Sequence, residues 1–393
     1  MKNPGLGKSF MVSALMLLAF DVYVAFVSLQ AAPVWVKALV FVPTAVYLLA
    51  IFRVFVLGKQ QQTDLNATLR LTIMFFFPAL IFVLVSAIGL LAGLIWAPLK
   101  AVFEIAGSAL AVAWMLMALY GIAWGWKRIQ VEKIDLSFPD LPEIFDGYRI
   151  VHLSDFHIGT YSTSPSTVKS IVDKVNGLDA DLIVFTGDLI NRQPAEVLQF
   201  VDELKRLKAH DGVLSVLGNH DYCLYNKYTY PDNARNELRR LIEIEKDCGW
   251  SLLRNSSIRI NRRNAHIDVV GVENAGTKGF PDYSDLDLAL SDTAAGSFKI
   301  LLTHDPTHWR RKVVGSTDIR LTLSGHTHGM QFKLGRFTPS RLSYREWGGV
   351  YRLGWHTLVV STGIGSNIAF RYGIYPKILL LTLKKSQSSP DKL

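Results

Sequence analysis

Val213-Leu214-Ser215-Val216-Leu217-Gly218-Asn219-His220-Asp221 is the stretch that decides how this chain is read. Val213 to Leu217 is a short apolar run, the pattern of a buried strand. Glycine then lets the backbone turn at the strand's end. Three polar side chains leave the sheet edge together: an amide, an imidazole and a carboxylate. An amide oxygen is a poor metal ligand alone and a useful one beside carboxylates and histidines. The stretch therefore asks for partners, and they lie on both sides of it.

Upstream, Asp155-Phe156-His157 follows the apolar run 148–153, and Gly187-Asp188 follows 182–186. Downstream, His304 follows 300–303, and Gly325-His326-Thr327-His328 follows 319–323. Each cluster leaves the end of an expected strand, where loop-borne sites gather in open α/β sheets. Taken singly, Asp-x-His or Gly-Asp says little, since most such pairs are surface polar residues. Jointly they weigh much more. Five of the ten histidines, His157, His220, His304, His326 and His328, fall at strand ends. The others, His152, His210, His266, His308 and His356, read as structural or solvated, with His152 and His308 close enough to the motifs to support them.

The remaining composition is uneven. The 393 residues are 50% hydrophobic and 19% charged, with mean hydropathy +0.23. Residues 1–130 hold nine Lys/Arg against three Asp/Glu, so +6 of the chain's +9 lies there and +3 is left for 131–393. The basic bias thus belongs to the most apolar part. That reads as a membrane-orientation signal and not as a nucleic-acid footprint. Two cysteines, Cys223 and Cys248, do not make a disulfide framework, and a reducing compartment fits them.

Four apolar segments, about 9–29, 34–57, 71–97 and 101–126, are each near or above the roughly 20 residues that span a bilayer. They imply an α-helical membrane bundle over residues 1–130. With a cytoplasmic N-terminus, Lys2, Lys8, Arg53, Lys59, Arg70, Lys127, Arg128 and Lys133 lie inside and only Lys37 and Lys100 outside, which puts residue 127 onward in the cytoplasm. A cleaved signal peptide ending near Ala31-Ala32 is the rival for the first segment. It would leave three spans and the same orientation. Asp21, inside the first span, is functional, a helix–helix hydrogen-bonding group or an aqueous-facing residue.

Beyond residue 130 the pattern changes. A strand at 131–138 leads into short apolar runs at 148–153, 182–186, 213–217, 267–272, 299–303, 319–323, 357–361 and 378–383. Helical spacing appears near 165–176, 194–208 and 233–246. Such alternation argues an α/β domain, here 131–385, with largely covered sheets. Residues 386–393 read as a polar tail.

The ordered set Asp155-x-His157, Gly187-Asp188, Gly218-Asn219-His220-Asp221, His304 and Gly325-His326-Thr327-His328 resembles the calcineurin-like metallophosphoesterase superfamily, in its membrane-anchored bacterial branch. The resemblance implies a two-sheet sandwich flanked by helices, with a dinuclear centre between the sheets. It implies that Asp155, His157, Asp188 and His328 hold one metal. Asp188 would bridge to a second, held also by Asn219, His304 and His326. His220 would face the phosphate and protonate the leaving oxygen, oriented by Asp221. Mixed carboxylate, imidazole and amide ligands suit Mn²⁺ first, and Fe or Zn²⁺ next. Two cations about 3.5–4 Å apart stabilise both attacking and leaving oxygens of an in-line displacement and activate a water as hydroxide.

The substrate is less legible. A catalytic domain tethered at the bilayer favours a lipid-linked phosphodiester or pyrophosphate. The layout resembles membrane-anchored relatives that cleave UDP-2,3-diacylglucosamine. Soluble hydrolases of that step carry Arg where this chain has His220, so the expectation comes from the membrane layout. Tyr222, Cys223, Leu224, Tyr225, Tyr228 and Tyr230 could cover a base or an acyl chain. Arg336, Arg341, Arg345 and Arg352, with Trp347 and Trp355, and separately Arg371, could pair with phosphate. Ordinary loop packing is the competing explanation for each. A soluble phosphomonoester or general diester substrate, a nuclease, and a metal-binding scaffold without turnover are the other functional readings. Oligomeric state is not legible.

Overall fold

The computed structural model describes residues 4–57, 62–225, 232–277 and 279–386. Tyr228, Tyr230, Lys2, Lys59 and all but the first residue of the polar tail therefore lie outside the described residues. The chain divides into two compact units. The first runs through Gly125 and takes in Ile368–Tyr372; the second is Trp126–Asn367 with the segment from Gly373 onward.

In the first unit four helices are long and apolar enough to cross a membrane: Gly7–Ser28, Val34–Val56, Thr63–Gly93 and Pro98–Lys127. Large apolar side chains on them, such as Leu15, Leu49, Leu91 and Ile105, stay exposed, as a surface solvated by lipid requires. Where apolar surface has no water to escape, polar contacts hold helices together. Asp21 is buried and accepts a hydrogen bond from Thr44 Oγ1 at 2.5 Å. Tyr47 Oη meets Ser13 Oγ at 2.7 Å and accepts from Thr72 Oγ1 at 3.0 Å. Asp21 thus makes the helix–helix hydrogen bond that was one of its three readings.

The second unit is built from two six-stranded sheets. The first has the order β1 (Gln130–Phe138), β12 (Lys377–Lys385), β2 (Arg149–Leu153), β3 (Leu182–Phe185), β4 (Val213–Ser215), β5 (Trp250–Leu252). The second runs β10 (Gly349–Leu353), β11 (His356–Val360), β9 (Leu321–Ser324), β8 (Phe298–Leu302), β7 (Ala265–Gly271), β6 (Ser256–Arg262). Strands β2 to β5 are parallel, in a register pairing Val151 with Ile183 and Val184 with Leu214. Strands β7, β8, β9 and β11 are parallel too, with antiparallel β6 and β10 at the edges. Parallel strands covered on both faces read as continuous apolar runs, which is why Leu182–Phe185 and Phe298–Leu302 are wholly buried.

The sheets close on one core. Ile150, Leu182, Val184, Leu214 and Leu381 of the first meet Ile267, Val269, Ile300, Leu302, Leu323 and Val359 of the second. Outside it, helices Pro165–Asn176 and Asp232–Asp247 turn apolar stripes inward, Val168, Ile171, Val172 and Val175 on one, Leu241 and Ile244 on the other. This is the two-sheet α/β sandwich expected behind four apolar helices. The parallel strands of each sheet point their C-terminal ends the same way, so the loops after β2, β3, β4, β8 and β9 emerge at one rim.

Candidate metal centre

Those five loops carry the polar clusters. Asp155, His157, Asp188 and His328 offer ligand atoms all within 4.8 Å of one another, and Asp188, His304 and His326 form a second such group. Asp188 belongs to both. Its Oδ2 lies 3.5 Å from His157 Nε2 and 3.2 Å from His304 Nε2. Ring nitrogens also converge in pairs: His157 Nε2 is 3.1 Å from His328 Nε2, and His304 Nε2 is 3.2 Å from His326 Nδ1.

Backbone geometry is bent to achieve this. Among the described residues, eleven non-glycine residues have positive φ, and Asp155, His157, Asp188, His326 and His328 are five of them. Such a conformation costs of order 1–2 kcal/mol each and persists where packing over-determines it. Gly218 is needed for space and not for a left-handed turn: a Cβ there would lie 2.3 Å from Asp188 Oδ1. Gly325 is in the same position, since its Cβ would meet Asp155 Oδ2 at 2.3 Å.

The remaining hydrogen bonds aim the ligand atoms. His157 Nδ1 meets the Ile190 carbonyl at 3.2 Å, and His304 Nδ1 meets Thr186 O at 2.8 Å. Both rings therefore present Nε2 inward. His326 uses Nε2 on Tyr344 Oη at 2.9 Å and presents Nδ1. Binding the far nitrogen in this way fixes tautomer and orientation. Asp155 accepts the His326 N–H at 3.0 Å and the Ser154 hydroxyl at 2.6 Å. Asn219 donates its amide N–H to Tyr225 Oη at 2.8 Å, which leaves its buried Oδ1 with no protein partner among the described residues.

Electrostatics agree for His157, His326 and Asp188. Burial pushes His157 down to about 3, with His220 adding to it, and burial followed by His304 lowers His326. Both rings are neutral near pH 7 and keep a lone pair. Burial alone would raise Asp188, but His304, His220 and His157 outweigh it and hold its carboxyl well below the usual carboxylate range. Burial alone would lower His304, and Asp188 beside it reverses the sign. The residues present fit a pair of divalent cations: converging imidazoles, an ionised carboxylate common to both groups, and an orphaned buried amide oxygen.

His220 sits beside the cluster. Its N–H donates to Asp188 Oδ1 at 2.8 Å, its ring packs edge-on against His157 at 4.7 Å, and Tyr225 covers it at 4.4 Å between centroids. Here the structure corrects the sequence reading. The ring is oriented by the Asn191 carbonyl, 2.6 Å from Nδ1, and not by Asp221. Asp221 is buried and accepts N–H groups from Asp188 at 2.7 Å, Leu189 at 2.9 Å and Gly218 at 2.9 Å. A carboxylate two bonds from its own backbone reaches the adjacent loop more easily than its neighbour's ring, so it clamps the β3 and β4 loops together.

The expected substrate residues scatter. Tyr225 is at the centre. Tyr222 is buried, with its hydroxyl 3.3 Å from Glu273 Oε1. Arg345 is 76% exposed and reaches Glu346 at 3.9 Å. Arg371 is not with the cluster: it is fully buried and belongs to the first unit, its N–H on Gly121 O at 3.2 Å. Sequence reasoning missed Tyr344, Asn191 and Asn367, whose amide lies 3.3 Å from His220 Nε2. It also missed Phe280, edge-on to His326 at 5.0 Å. His152, His308 and His356 are buried and bonded to Thr186, Thr303 and the Ile319 carbonyl. Cys223 and Cys248 are buried and unbridged.

The family model for calcineurin-like phosphoesterases matches residues 148–330, the span that carries all five clusters. The uncharacterized metallophosphoesterase YkuE of Bacillus subtilis is 30% identical over 257 residues, 63% of this chain and 82% of its own length. This chain belongs to the calcineurin-like phosphoesterase family, whose metal-dependent members hydrolyse phosphoester bonds. A zebrafish (Danio rerio) transmembrane protein with metallophosphoesterase domain is 28% identical over 282 residues, 69% of this chain and 61% of that protein's length. The UDP-2,3-diacylglucosamine pyrophosphatase LpxG of Chlamydia muridarum is 26% identical over 277 residues, 59% of this chain and 80% of its own. With four apolar helices beside that domain, the chain is a membrane protein.

Proposed function

We propose that the chain hydrolyses a phosphodiester or pyrophosphate bond of a lipid-linked substrate, with UDP-2,3-diacylglucosamine the first compound to test, at a dinuclear centre held at the cytoplasmic face of a membrane. The carrying observation is Asp188, a buried carboxylate common to two groups of inward-facing imidazoles. Asp155, His157, Asp188 and His328 hold one cation; Asp188, Asn219, His304 and His326 hold the other. Hard carboxylate and amide oxygens mixed with imidazole favour Mn²⁺. When bound, the pair supplies charge stabilisation and an activated water.

The chain's own residues do the rest. His220, half-buried, has Nδ1 tied to the Asn191 carbonyl and Nε2 beside the Asn367 amide; as the imidazolium it delivers its Nε2 proton to the leaving oxygen, which takes the place of that amide contact. Asp221 keeps the two loops in register and touches no reacting atom. Tyr225 limits water on the outer side of His220. The lipid-linked substrate is supported by the apolar helices and by the LpxG relative.

The test is a substrate panel with purified full chain and Mn²⁺ in detergent: UDP-diacylglucosamine, glycerophosphodiesters, phosphomonoesters and bis-p-nitrophenyl phosphate. Release of UMP from the first supports the lipid-linked reading, and indifference to every lipid-linked compound removes it. His220→Ala is expected to lose about 10²–10⁴-fold in turnover while binding the same number of metal ions.

A further inference from the structure

Where the chain leaves its last apolar helix lies an open cavity of about 420 Å³, lined chiefly by Lys127, Arg128, Ser166, Thr167, Ser170 and Lys174. It shares no residue with the metal centre, and among the described residues no carboxylate lines it. The cations on one wall are steadied by aromatic faces. Lys127 Nζ lies 4.9 Å from the Trp126 ring centroid, and the Arg128 guanidinium 4.8 Å from that of Tyr375. Trp126 is itself buried against Tyr161, 5.4 Å away. Side chains placed in advance lose less freedom when a ligand arrives.

The opposite wall is one stripe of helix Pro165–Asn176. Ser166, Ser170 and Lys174 recur every fourth residue and so stack along a single face. They present two hydroxyls and an ammonium towards Lys127 and Arg128. The helix has no acidic residue in its first turn.

Basic residues just past a span are ordinarily an orientation signal, and Lys127 with Arg128 alone would be no more. Lys174 and the serines come from a separate helix of the same second unit, which begins at Trp126. An orientation signal needs neither a third cation there nor hydroxyl donors, and it does not need a cavity.

We propose that this cavity binds the phosphate of an anionic phospholipid headgroup. Chain connectivity argues for a lipid over free phosphate. Lys127 ends the helix Pro98–Lys127 and Arg128 is the next residue, so two of the lining cations are joined directly to the last apolar helix. The inference rests on the chain crossing a bilayer and is independent of the phosphoesterase reading.

The full chain is purified in detergent and titrated with phosphatidylglycerol or phosphatidylcholine, and retained lipid is counted by native mass spectrometry. Phosphatidylglycerol is expected to be retained in preference. Lys174→Gln should weaken its retention about fivefold, the effect of one cation near an anionic surface, and Ser170→Glu at least as much. Both positions are solvent-facing, and Lys174→Arg, which keeps fold and charge, should retain lipid like wild type. Equal retention of the two lipids would overturn the proposal. So would unchanged binding in both charge variants, or displacement of the lipid by an equal concentration of inorganic phosphate, which would mark a free-anion site.

Discussion

His326 shows how much of the centre depends on residues outside the motifs. Its Nδ1 faces His304 because Nε2 is occupied by Tyr344 Oη. Loss of such an outer partner typically costs 10- to 100-fold in metal affinity. Tyr344→Phe is therefore expected to weaken one of two Mn²⁺-binding steps about tenfold, read by isothermal titration. An isotherm identical to wild type would remove Tyr344 from the account. The candidate ligands could be read in the sequence because each stands beside or next but one to a glycine or a second polar residue at the end of an apolar run. Tyr344 could not: it lies on the loop before β10, and nothing local marks it. Asn191 escaped for a different reason, since it orients His220 through a backbone carbonyl that any residue would supply. Asp221 was misjudged because adjacency in sequence to His220 suggested contact, whereas the His220 ring meets the Asn191 carbonyl and the Asp221 carboxylate meets backbone N–H groups of the β3 loop and of Gly218.

At the scale of elements, the strands found from sequence are the buried central ones and the long edge strand β1, whose apolar residues alternate. β5, β6 and β10 were missed. Trp250–Leu252 is only three residues long, and Ser256–Arg262 and Gly349–Leu353 are exposed edge strands with few buried positions. Their identity comes from pairing with β4, β7 and β11, which no local pattern contains. The expected helix at 194–208 breaks into the 3₁₀ turns Pro194–Glu196 and Leu198–Phe200 and a four-residue helix, Val201–Leu204. Glu196 accounts for part of this, because it accepts the N–H groups of Asn191 at 2.7 Å and Arg192 at 3.1 Å and ties the turn to the loop that orients His220.

Helix Asp232–Asp247 carries a second buried acid. Glu245 accepts from Ser215 Oγ at 2.6 Å, and burial, followed by the charge of Asp221, pushes its carboxyl up to about 8. The folded state thus holds a proton that the unfolded chain, titrating near 4.5, releases earlier. Its contribution to stability is complete below about pH 4.5 and is lost as pH rises through about 8, with a limiting slope of about 1.4 kcal/mol per unit. Glu245→Gln should remove that loss. Its thermal midpoint should match or trail wild type at pH 5.5 and exceed it by several degrees at pH 9. A difference that does not change with pH would contradict the assignment.

For the whole molecule, the apolar helices and the α/β sandwich expected from sequence are both present, because both depend on long-range composition and not on individual contacts. The proposed cytoplasmic sidedness rests on charge: eight of the ten Lys/Arg named between Lys2 and Lys133 lie at or before the start of the first span, at or between the facing ends of the second and third, or at or after the end of the fourth. Trypsin added to right-side-out vesicles should leave the catalytic unit intact until detergent admits it. Cleavage of that unit in sealed vesicles would reverse the orientation.

The account as a whole turns on one carboxylate serving two cation sites. Elemental analysis of the full chain after Mn²⁺ loading and removal of free metal should find two ions per chain in wild type and at most one in Asp188→Asn. Two ions in both, or none in wild type, would contradict it.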